Sequence, residues 1–206
     1  MGERNSWSIL KGLAPAEARA AIDEAVAALP GPRPATLASS RTELSTRTLW
    51  AVCGRDTLTL CDDAWRLAQE IAAQRGLVEM ELRIQEGDHW DFTLCRGRTV
   101  IADFSTRASY FDDPPSGPRP WKRGDAAVFI GAWGAAAGDV LPYLVDWDSL
   151  KRPRLATPRS RRPSGDIWEV LDFMVALGAA NPSDHPERFE VRVPEWRTVY
   201  RAQGQG

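Results

Sequence analysis

Between residues 78 and 104 apolar side chains return at every second position, across two turns that each contain a glycine. Val78, Met80, Leu82 and Ile84 alternate with Glu79, Glu81, Arg83 and Gln85, and Trp90, Phe92 and Leu94 alternate with Asp91, Thr93 and Cys95. Val100, Ala102 and Phe104 follow. A period of two sends successive side chains to opposite faces of a strand. The stretch therefore predicts a three-strand antiparallel meander with an apolar even face and a wet, polar odd face. The reversals fall at Glu86, Gly87 and Asp88 and at Arg96, Gly97 and Arg98, where glycine suits a tight turn.

Elsewhere the period lengthens to that of a helix. Ala18, Ile22, Ala25, Val26 and Leu29 behind Pro15 predict a helix over 14–29. Trp65, Ala68, Ile71 and Ala72 predict a second, capped by Asp62 or Asp63 and stopped by Gly76. A stripe of Ile167, Val170, Leu171, Met174 and Leu177 predicts a third over 165–177, and shorter helices are expected over 125–133 and 138–146. Residues 47–53 and 56–61 read as two short strands about Gly54, and 189–194 as another. Residues 35–46 read as turn-rich, 112–124 and 148–164 as long exposed loops, and 1–12 and 201–206 as mobile ends. The sum is one α+β domain spanning 1–206: an antiparallel β-sheet built on the 78–104 meander, with helices packed on one face.

Composition narrows the class without naming a reaction. At 206 residues, 43% hydrophobic and 26% charged, the chain has material for one sizeable core. No apolar run approaches the roughly 18 residues of a membrane-spanning helix, so no membrane association is expected. Cys53, Cys61 and Cys95 are odd in number and lack C-x-x-C spacing. That argues against a disulfide framework or a cysteine zinc site and for reduced thiols in the cytoplasm. Cys95 falls on the polar phase of its strand, where it is either accessible or a small hydrophobe.

Candidate chemistry gathers at the first turn of the meander, where Glu86, Asp88, His89 and Asp91 are close in sequence. Acids beside a histidine suit a divalent cation or acid–base work, so Asp88, His89 and Asp91 define an enzymatic alternative. Their spacing matches no established ligand pattern, and turns favour aspartate and glycine for conformational reasons. Only two histidines exist, and no G-x-S-x-G elbow accompanies them. The one glycine-rich run, GAWGAAAG at 131–138, lacks the Lys-Ser/Thr of a phosphate loop and reads as a helix-to-helix connection. No cofactor and no metal are expected.

Residues 151–163 hold six basic side chains, three prolines and no acid. With 26 Lys and Arg against 28 Asp and Glu in the chain, those six leave 20 against 28 elsewhere, a body of net charge −8. Arg152, Arg154, Arg159, Arg161 and Arg162 thus form a second alternative, a phosphate- or nucleic-acid-binding strip, although the acidic body disfavours nucleic acid. Nine tryptophans fill more than a core of this size needs, and Trp121 and Trp196 lie in polar, proline-marked contexts that suit protein contacts. No motif assigns a family. In general character the chain resembles small, acidic, tryptophan-rich bacterial proteins that bind another protein, including immunity proteins that neutralise toxins. The leading expectation is a cytoplasmic, non-enzymatic protein-binding protein. It would hold a basic toxin or effector through Glu79, Glu81, Asp91 and Asp103 on the wet sheet face, with Trp121 and Trp196 as contact residues.

Overall fold

A computed structural model describes residues 5–29, 31, 40–107, 123–182 and 185–200. Among these residues seven strands form one antiparallel sheet: β1 Asn5–Lys11, β2 Ser40–Cys53, β3 Thr57–Cys61, β4 Val78–Gln85, β5 His89–Arg96, β6 Thr99–Ser105 and β7 Phe189–Tyr200, in the spatial order β6-β5-β4-β1-β3-β2-β7. Among the described residues five α-helices accompany it: α1 Pro15–Ala28, α2 Trp65–Arg75, α3 Arg123–Trp133, α4 Ala137–Val140 and α5 Glu169–Ala176. The expected α+β class and the β4-β5-β6 meander are present. The turns bring Glu86, Gly87 and Gly97 to positive φ, and glycine tolerates that conformation at least cost.

Helices cover both faces of the sheet, where one face was expected. Neighbours in β1 point to different cores. Ile9 joins Met80, Leu82, Trp90, Phe92 and Phe104 under α3 and α5, while Leu10 joins Leu49, Leu58, Leu60 and Val191 under α1 and α2. The first core is aromatic, with Trp90 and Phe173 centroids 5.1 Å apart and Phe92 and Phe129 also 5.1 Å apart. Such tilted pairs add stabilisation beyond their buried area.

Residues 5–11, expected within a mobile end, are the central strand. Trp7 and Ile9 are buried on one side, Ser8 and Leu10 on the other. A strand covered on both faces loses the apolar–polar alternation that would reveal it. Residues 40–46, expected as turns, belong to β2, which pairs with β7 over twelve registered positions from Ser40↔Tyr200 to Ala51↔Phe189. Because β3 pairs only with Ala51, Val52 and Cys53 of β2, the remainder of β2 and β7 projects as a two-stranded ribbon. Both faces of that ribbon carry polar side chains, so its sequence has no period to read.

Smaller differences have local causes. Ala64, with no side-chain cap, opens α2, while Asp62 and Asp63 adopt positive φ of 66° and 59°. The pair makes the corner out of β3, a left-handed conformation that aspartate tolerates better than most residues. Gly76 stops α2 in the left-handed region as expected. The helix expected over 138–146 is α4 followed by a 3-10 turn, Leu141–Tyr143, because Pro142 lacks the amide that would extend it. Residues 108–122, with Trp121 and most of the expected 112–124 loop, and 201–206 lie outside the described residues.

Candidate binding surfaces

The sheet register gathers all four acidic residues expected on the polar face. Ser8, Glu81, Thr93 and Asp103 stand in one cross-strand row; Ser6, Arg83, Asp91 and Ser105 form the next; Leu10, Glu79 and Cys95 form the row on the other side. The strip they make is far less wet than alternation implies. Glu79 is 1% exposed, Asp91 8% and Cys95 3%, whereas Asp103 is exposed. Helix α2 explains the burial of the Glu79 row, since it packs over β1, β4 and β5 and is tied down by Glu70 to Arg98 at 2.9 Å.

Arg83 organises the rest of the strip. Its guanidinium donates to Asp91 at 2.6 Å and 2.7 Å, to Thr93 Oγ1 at 3.1 Å and to Glu81 at 3.3 Å. Burial alone would lower the Arg83 pKa, but Asp91 and Glu81 outweigh it and hold the charge more firmly than usual. Burial raises the Glu81 pKa from its ordinary value against the pull of Arg83, with Asp63 and Asp91 adding repulsion. Glu79 is pushed up to about 8 by burial and by Glu81, and neither of its carboxylate oxygens has a hydrogen-bond partner among the described residues. Such a carboxyl is neutral at physiological pH. Asp62 and Asp63 extend the negative surface at the β1 side, where the Asp63 amide donates to Ser6 Oγ at 3.1 Å.

The residues of the turn cluster sit in different environments. Asp88 is exposed on the turn, His89 is buried as the first residue of β5, and Asp91 is taken up by Arg83. Burial lowers the His89 pKa against the pull of Asp91, Asp88 and Glu86, with Arg107 adding to the lowering. Among the described residues no group of three or more His, Cys, Asp and Glu side chains is arranged to hold a metal ion. Cys95, considered for an accessible role, is buried, and burial lifts its thiol to about 11.

Trp196 lies at the far side of the molecule, on the ribbon, 38% exposed and directly opposite exposed Leu44. A shallow recess beside them is lined by Leu44, Thr46, Thr48, Arg192, Val193 and Pro194. The structure therefore separates Trp196 from the acidic strip, which the order of the strands places towards the opposite edge. Leu44 was not anticipated; its trace in the sequence is one apolar residue in an otherwise polar stretch.

The basic loop is ordered by specific contacts. Leu155 and Pro163 form an antiparallel bridge, and the Ser164 amide donates to the Arg154 carbonyl at 2.7 Å. Buried Ser160 meets Tyr143 Oη at 2.8 Å and receives the Thr157 amide at 2.9 Å. Asp172 on α5 accepts the amides of Arg161 and Arg162 at 2.7 Å and 3.0 Å. Beneath, Ser164 Oγ donates at 3.0 Å to Glu169, whose pKa burial raises to about 7 although Ser164 and the Trp147 indole offset part of it. The expected exposed loop is thus exposed in its side chains and anchored in its backbone.

Among the described residues no single helix is long and apolar enough to cross a membrane. Comparison with protein-family models, curated proteins and solved structures gave no match.

Proposed function

We propose that this chain is a non-enzymatic protein-binding protein that docks a basic surface of its partner on the strip formed by Glu81, Asp103, Asp62 and Asp63. The observation that carries the reading is the register: it sets Glu81 and Asp103 in one row and leaves Arg83 as the one cation among the four acids of β4, β5 and β6. Arg83 is committed to Asp91 and Glu81, so the outward charge is negative, and complementarity selects a cationic partner while steering its approach. Glu79 contributes little charge to this surface, and Asp91 acts mainly by holding Arg83. A basic enzyme or toxin held by an immunity-type protein suits this charge pattern. The free thiols of Cys53, Cys61 and Cys95 suit a reducing, cytoplasmic setting.

The test compares tagged full-length chain with the Glu81→Lys, Asp103→Lys double variant in capture from host extract, followed by pairwise binding of the purified partner. A basic partner whose affinity drops at least about tenfold in the variant, and weakens as salt rises, supports the reading. A partner held equally by both chains overturns it.

A further inference from the structure

The 151–163 loop holds a second, oppositely charged surface. Lys151, Arg152, Arg154, Arg159 and Arg161 are exposed, and none forms an ion pair with the described residues; only Arg162 has a carboxylate, Asp166, at 3.7 Å. Asp172 is close by, yet it accepts the backbone amides of Arg161 and Arg162. A solvated linker would leave its backbone to water. Here buried Tyr143, Ser160, Ser164 and Glu169 lock the backbone while every cation but one stays available. Locking lowers the ordering cost of binding, and four of the five available cations are arginines, whose planar forks match carboxylate and phosphate oxygens.

We propose that this loop is an anion-binding surface that docks a short acidic or phosphorylated segment of a partner protein. Two observations choose a peptide over nucleic acid. The loop carries no aromatic side chain on which a base could stack, and the rest of the chain has a net charge of −8, which repels a long polyanion but not a short one. The loop packs against α5 and Tyr143, which lie over the aromatic core, whereas the acidic strip is on the other face of the sheet. The two surfaces can therefore be tested separately.

Fluorescence anisotropy on the full chain uses a labelled oligoglutamate peptide, a phosphoserine peptide of equal length and an uncharged control. Single-stranded DNA and anionic lipid vesicles serve as competitors. One or both anionic peptides should bind, more weakly as salt rises. The Arg154→Ala, Arg159→Ala, Arg161→Ala triple variant should lower that affinity by at least about tenfold with an unchanged circular dichroism spectrum. Asp172→Ala removes no cation, yet should weaken binding by freeing the loop, while Glu81→Lys should leave it unchanged. Failure of both peptides to bind, equal binding by the triple variant, or preferred binding of DNA or vesicles would overturn the proposal.

Discussion

Burial between Leu10 and Cys95 leaves the Glu79 carboxyl without a described partner and keeps it protonated up to about pH 8. An unfolded glutamate releases that proton near its ordinary value, so above it the native state binds more protons than the unfolded one. Stability from this group is complete below the ordinary glutamate range and is lost as pH rises through about 8. Glu169 acts in the same sense, its window closing near 7. Thermal melts should therefore show the wild type losing stability between about pH 5 and about pH 9, and Glu79→Gln losing less, by an amount on the order of 1–3 kcal/mol. Identical pH profiles would count against a buried neutral Glu79. The alternation placed Glu79 correctly by face but not by environment, because burial there depends on a helix from elsewhere in the chain.

At the scale of elements, the β2–β3 connection shows how closely the layers meet. The Gly54 amide donates to the Thr57 carbonyl at 2.8 Å, and Thr57 Oγ1 donates at 2.9 Å to Gly178, just past α5. A β-carbon on Gly54 would clash with Thr57 Oγ1 and come within 2.5 Å of the Gly178 carbonyl, two atoms that are themselves bonded. Gly54→Ala is expected to cost about 1–3 kcal/mol in denaturant unfolding, while Gly31→Ala, with open space around it, should be near neutral. The meander and α1 were legible because each keeps apolar and polar residues at its own period, although the polar side of the meander is itself largely covered. The ribbon and β1 were not, since the first is polar on both faces and the second is buried on both.

Over the whole molecule, both cores share the seven-stranded sheet, and β1 contributes to each through Ile9 and Leu10. Loss of either core exposes the strand that supports the other, so unfolding is expected as one cooperative transition. Far-ultraviolet circular dichroism and tryptophan fluorescence should give coincident curves; separated midpoints would show two units. The sequence by itself determined the α+β class, the meander and the composition of the two charged surfaces, since period and charge are local properties of the chain. Tertiary structure decided the rest. Pairing of β1 between β3 and β4 put residues 5–11 at the centre, and helix α2 buried Glu79. Asp172, from a helix later in the chain, anchored the backbone of the basic loop at Arg161 and Arg162. Each of these rests on contact between residues distant in sequence, where no local period can record it.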